Sequence, residues 1–162
     1  MSLSQSAQIV QKVLLEKGFK FKVIELPAST RTADDAAKAI GCSAGQIIKS
    51  LVFLTKKSRK PVLVLASGPN RVNERAIAHH VGEEIIKADA DYVREITGFA
   101  IGGIPPVGHK QNMPTYIDED LLQFQEVWAA AGTPHAVFSL TSENIVSLTG
   151  GKIISIKSES AA

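Results

Sequence analysis

Cys42 is the only cysteine in this chain. With one thiol, no intramolecular disulfide can form and no thiolate zinc cluster can be assembled, a composition that fits a reducing, cytoplasmic setting. Excess charge is scarce as well: 18 Lys and Arg stand against 16 Asp and Glu, a net charge of +2. The molecule is no polycation, so a nucleic-acid partner would have to be held by a local patch. No apolar run approaches the ~18 residues of a membrane span, and the opening "MSLSQSAQIVQKVLLEKG" lacks the basic stretch and apolar block of a signal peptide. The common nucleotide fingerprints, G-x-x-x-x-G-K-[ST] and G-x-G-x-x-G, are absent. So are the G-x-S-x-G nucleophile elbow and the H-E-x-x-H metal motif. The adjacent His79 and His80 would leave a helix on different sides, so no metal is expected, and Cys42 reads as a small buried residue rather than a nucleophile.

What remains is a chain of 162 residues, 44% apolar and 21% charged. That is the profile of one globular domain, able to bury roughly two-thirds of its unfolded surface. Apolar positions at Ala7, Val10, Val13 and Leu14 predict an amphipathic helix over 4–17, stopped at Gly18. "FKFKVIEL" alternates Phe19, Phe21 and Val23 with lysines and predicts a half-buried strand. Thr32, with Asp35 three residues on, opens a helix that closes at Gly41, and Ser43 is placed to cap a short helical turn. "LVFLTKKSRKPVLVLAS" reads as two apolar strands joined by a charged turn. Helices follow from Asn73 to Gly82 and from Asp89 or Asp91 to Gly98. Glycines and prolines between Gly102 and Gly108 forbid helix there. The remainder predicts a strand at 115–117, an acidic turn at 118–120, a strand or helix near 121–130, a strand in "HAVFSL", a helix from Thr141 and a strand near 153–156. The tail "KSESAA" is expected to fray. Without regular βαβ spacing, the fold class is a mixed α/β (α+β) domain rather than a doubly wound sheet.

Two features are left for chemistry. Lys49 sits inside the apolar run "QIIKSLVFL". It either marks the strand's exposed mouth and snorkels into water or is held for a ligand. The run "GGIPPVGH" is either a rigid structural turn or a loop whose backbone N–H groups face a ligand, where they could stabilise an oxyanion.

Taken together, "TADDAAKAIGCSAGQIIKSLVF", "GFAIGGIPPVGHKQNMPTYID" and "AGTPHAVFSLTSENIVSLTGG" resemble the YbaK/ProX family, relatives of the editing domain inserted in bacterial prolyl-tRNA synthetases. The resemblance covers residues 5–155. It implies a compact domain around a central, mixed, partly closed sheet. It also implies hydrolysis of mischarged aminoacyl-tRNA, chiefly tRNA for proline, with no cofactor, no metal and no protein nucleophile. The family's functional lysine falls on Lys49, and its substrate loop on Gly102 and Gly103 through Gly108.

On that footing the residues suggest a division of labour. Lys49 stays charged and anchors the terminal adenosine, its phosphate or the carbonyl region. Gly103 N–H faces the developing oxyanion, and the ribose hydroxyl helps deliver water. Phe21, Ile47, Ile101, Thr133 and His135 are the expected walls of a selective pocket, with Ser50 a lesser candidate because strand alternation turns it to the opposite face from Lys49. The amino acid removed (alanine, cysteine, serine, threonine or 2-aminobutyrate) is left open. Lys56, Lys57, Arg59 and Lys60 form a basic hairpin tip for tRNA, and prolyl-tRNA synthetase is a candidate partner. The competing reading is a module that binds an aminoacyl end or free amino acid without turnover.

Overall fold

The computed structural model describes residues 3–157, so most of the "KSESAA" tail lies outside the described residues. Five helices, α1 (Gln5–Glu16), α2 (Ala33–Ile40), α3 (Glu74–Val81), α4 (Ala90–Thr97) and α5 (Asn144–Thr149), flank one mixed sheet. Its strands are β1 (Ile24–Glu25), β2 (Ile47–Thr55), β3 (Pro61–Ser67), β4 (Ile85–Lys87), β5 (Thr115–Asp118), β6 (Glu126–Ala130), β7 (Ala136–Thr141) and β8 (Lys152–Ile154). They run in the order β1-β7-β6-β2-β3-β5-β8, with β4 branching from β2.

Except at α5, the helix starts follow the capping chemistry of the sequence; α5 begins at Asn144 and not at the expected Thr141, which is drawn into β7 instead. Thr32 Oγ1 accepts from Asp35 N–H, Asn73 Oδ1 from Arg75 and Ala76 N–H, and Asp89 Oδ1 from Tyr92 N–H. Asp89, not Asp91, therefore opens α4. The segment near 121–130 holds both alternatives in turn, a 3-10 stretch over Glu119–Gln123 and then β6. β4 has no counterpart in the sequence reading, since three residues are too few to show a period.

One expected strand is replaced by something else. "FKFKVIEL" keeps its alternation, with Val23 buried and Lys20 and Lys22 exposed. Only Ile24 and Glu25 reach a partner strand, however. Ahead of them the backbone is tethered by one side chain: Gln11 of α1 donates from Nε2 to Phe21 O (2.9 Å) and accepts from Val23 N–H (2.8 Å).

Strand alternation divides β2 between a large core on one face and two smaller clusters on the other. Ile48 and Val52 join the large core formed with α1, α4, α5 and the loop residues Phe99, Ile104 and Val107. On the opposite face Ile47 packs with Ala36 and Ala37 of α2, and Phe53 packs with Ile77 of α3. Leu51 packs against the second of these clusters, and Lys49 lies between the two.

Gln11→Ala is expected to leave Val23 N–H without its partner and to lower stability by about 1–3 kcal/mol, measured by urea unfolding. An unchanged midpoint would show that the 19–23 segment does not depend on this tether.

Candidate active site

β2 is paired unevenly. β3 runs antiparallel beside it from Ile48 to Leu54. On its other edge β6 pairs only with Ile47 and Ile48, and β4 only with Phe53, Leu54 and Thr55. Among the described residues no strand lies beside the edge from 49 to 52, and the molecule opens there into two adjoining cavities of about 730 and 300 Å³. Lys49, Ser50, Leu51, Ile101 and Ile104 line both. The smaller is walled mainly by apolar side chains, among them Ala36, Ile47, Trp128, Ala129 and Val137. The larger also carries Asn70, Arg71, Glu74 and Lys87.

Lys49 Nζ donates to Asn70 O at 2.7 Å. Asn70 is fixed in turn by its side chain, whose Nδ2 donates to Asp118 Oδ2 (2.8 Å) and Asp120 Oδ2 (2.7 Å). Asp118 is fully buried and also accepts from Ser67 N–H (2.9 Å) and Asp120 N–H (2.9 Å). A buried carboxylate thus clamps the 67–70 turn that supports the ammonium. Of the three N–H donors on Lys49, one is held by the Asn70 carbonyl and two are left for the cleft. Burial pushes the Lys49 pKa below that of an ordinary lysine, while the charges of Asp118 and then Asp34 oppose the shift. Neither Asn70 nor Asp118 stood out in the sequence, because their roles come from contacts 48 to 51 residues apart.

Three buried polar atoms have no hydrogen-bond partner among the described residues: Thr30 Oγ1, Ser50 Oγ and Trp128 Nε1. All three belong to residues lining the smaller cavity. Unpaired buried polar groups are rare in folded proteins and call for an explanation.

The structure brings together Lys49, Ile47, Ser50, Ile101 and Gly102, and separates the other expected residues from them. Gly102, at φ +96°, lines the smaller cavity, and a Cβ there would lie 2.7 Å from Arg31 Cγ. Gly103 is a correction. Its N–H is already donated to Ala100 O (3.1 Å), and its carbonyl accepts from Gly132 N–H (2.8 Å). A Cβ at this position would stand 2.8 Å from the Thr133 backbone, so glycine is required here for close packing rather than for an oxyanion. Gly108 turns toward Val13 of α1, away from both cavities. Phe21 stacks between Phe19 and Phe138 at ring distances of 5.1 and 6.2 Å, drawn into the core by its apolar area. Thr133 Oγ1 is used by His135 and Ala136 N–H. His135 is exposed, with Nδ1 3.2 Å from Ala28 O. None of these last four lines either cavity.

The loop between Gly102 and His109 is stiffened from within. His109 Nε2 lies 2.6 Å from Pro105 O, and burial lowers the histidine pKa. The basic tip of the β2–β3 hairpin lies at the far end of β2, six residues from Lys49, or roughly 20 Å of strand. Acidic neighbours temper its charge: Lys56 meets Glu84 at 3.2 Å, and Glu83 accepts from Lys57 N–H, Ser58 N–H and Ser58 Oγ. Arg71 and Lys87, by contrast, line the larger cavity itself.

The model of the aminoacyl-tRNA editing domain matches residues 27–148. A crystal structure proposed as a trans-editing enzyme for prolyl tRNA synthetase is 51% identical, with a TM-score of 0.91 over 96% of this chain and 99% of that one. The proposed Cys-tRNA(Pro)/Cys-tRNA(Cys) deacylase EbsC of Enterococcus faecalis is 29% identical over 77% of this chain and 76% of its own length. A proline–tRNA ligase of Limosilactobacillus fermentum is 37% identical over 94 residues, which are 56% of this chain and 16% of the ligase. The chain belongs to the aminoacyl-tRNA editing domain family.

The clamp on the 67–70 turn has an electrostatic consequence. The negative charge of Asp118 favours the ammonium form of Lys49, so Asp118→Asn is expected to lower the Lys49 pKa further. Titration of the Lys49 side chain by NMR checks this, and a value that stays put or rises would show that Asp118 acts on the turn alone.

Proposed function

We propose that this member of the editing-domain family hydrolyses the ester of mischarged aminoacyl-tRNA, and that its substrate is tRNA for proline carrying a small non-cognate amino acid. One observation carries the reading: Lys49 stands at the junction of a small, mainly apolar cavity and a larger one edged by Arg71 and Lys87. An aminoacyl ester has the matching shape, with a small side chain on one side of the scissile bond and a nucleotide on the other. The smaller cavity suits the side chain and the larger the terminal adenosine.

Ester chemistry asks for little beyond this. The bond is already activated, and positioning together with charge stabilisation carries most of the catalysis. Lys49 cannot act as a base while charged. Its two free N–H donors stabilise negative charge on the carbonyl or adjacent phosphate oxygens, and the ribose hydroxyl beside the ester guides water. The family's occurrence inside proline–tRNA ligases supports tRNA for proline as the carrier and the synthetase as a working partner. An apolar pocket separates close analogues by only ~1–3 kcal/mol, so a narrow group of small side chains is expected rather than a single one. Arg71 and Lys87 are better placed than the hairpin tip to hold the acceptor end, and the tip (Lys56, Lys57, Arg59, Lys60) serves more distant phosphates. Association should weaken as salt rises.

The test is a panel of tRNAs for proline, alanine and cysteine, each charged with alanine, cysteine, serine, threonine or 2-aminobutyrate. Release of amino acid from one subset is expected, and Lys49→Ala should reduce kcat by at least about 100-fold with an unchanged fold. Tight binding of the whole panel without turnover would replace hydrolysis by recognition alone. Full activity in Lys49→Ala would remove the lysine from the chemistry.

A further inference from the structure

The gap in the sheet leaves backbone groups exposed to the cleft, and the ladder pattern identifies them. Thr55 N–H donates to Lys60 O (2.8 Å), whereas Lys56 N–H donates the other way, to Glu84 O (2.8 Å). Leu63, opposite Val52, turns its N–H away from β2 to Pro114 O (2.9 Å). In an antiparallel ladder, alternate residues face alternate edges. Lys49, Leu51, Phe53 and Thr55 therefore face β3, and Ile48, Ser50, Val52 and Leu54 face the opposite edge. There Ile48 meets β6 and Leu54 meets β4. Ser50 and Val52 meet no strand, and no backbone bond reaches them from the 99–109 loop among the described residues. With its Oγ also unpartnered, Ser50 has its N–H, its carbonyl and its hydroxyl all free. It lies where the two cavities join.

We propose that the aminoacyl group of the substrate docks as a one-residue strand opposite Ser50. In a hydrogen-bonded antiparallel pair, two residues exchange both N–H···O bonds. An aminoacyl ester carries the needed donor and acceptor on neighbouring atoms: its α-ammonium donates to Ser50 O, and its ester carbonyl accepts from Ser50 N–H. The pairing deepens the deacylase reading and rests on it. It explains how an α-ammonium is held in a small cavity whose lining has no Asp or Glu. It also supplies the oxyanion donor that Gly103 cannot, because the carbonyl oxygen gaining charge during attack of water is the atom paired with Ser50 N–H. Lys49, the preceding residue, brings its charge to the same junction. The pairing reads only main-chain atoms, so choice among side chains is left to the cavity walls.

The test removes one hydrogen bond at a time. Replacing Ser50 by glyceric acid through an ester backbone linkage deletes its N–H and keeps its hydroxyl. The same exchange of Val52 for α-hydroxyisovaleric acid makes an equal backbone change at the neighbouring free position. With the best aminoacyl-tRNA of the panel, kcat/KM should fall about 100- to 1,000-fold for position 50 and less than about threefold for position 52. On the unmodified protein, a tRNA carrying the matching α-hydroxy acid, which lacks the ammonium, should be cleaved at least about tenfold more slowly after correction for each ester's uncatalysed rate. Equal losses at 50 and 52, no loss at 50, or equal cleavage of the amino and hydroxy esters would each overturn the pairing while leaving the deacylase reading intact. A protein that releases no amino acid from any charged tRNA overturns both.

Discussion

The structure depends on an interruption in hydrogen bonding. β2 is paired along the whole of one edge and only at the two ends of the other. Completing that edge would fill the cleft and remove the site. Leaving it open exposes polar backbone in a largely apolar place, a cost that folded proteins seldom accept without a use. The two cavities, the placement of Lys49 and the free groups of Ser50 all follow from this one omission. The same strand is firmly anchored by β3 and by three core clusters, so the open stretch is held in position by its neighbours.

Charge is arranged around the opening at two depths. Near the surface, Arg71 and Lys87 edge the larger cavity and suit an anionic nucleic-acid end. Deeper, a single ammonium is stabilised by a buried carboxylate acting through a turn rather than by direct pairing. Asp118 holds Asn70 by its side chain, and Asn70 presents its main-chain carbonyl to Lys49. The indirect arrangement keeps the charge in place and two donors available.

The glycine-proline loop has a different part from the one its composition suggests. Its glycines serve close packing against Thr133 and the turn beside Arg31, and His109 fastens its end to Pro105. Ile101, 47% exposed, and Ile104, buried in the large core, line both cavities from this loop. The loop supplies side chains to the cavity walls, while the free backbone lies on the strand.

Much of this was legible before any coordinates. Most helix limits were readable because caps and terminal glycines act within four residues, though α5 begins at Asn144 and not at Thr141, which ends β7; β2 and β3 were readable because largely buried strands are largely apolar. Lys49 stood out by violating its own strand. The rest was decided by tertiary structure for physical reasons. The pairing of Gln11 with residues 21–23, the support of Lys49 by Asn70 and Asp118, and the separation of Phe21, Thr133 and His135 from the site are contacts between distant segments, and local periodicity carries no trace of them. The break in the sheet is set by where β4 and β6 stop along β2, and no residue within β2 records it. The sequence by itself determined which strand bears the charge. Only the packed fold decided that the same strand would be left half unpaired, because a missing neighbour is a property of the assembly and not of the residues that lack it.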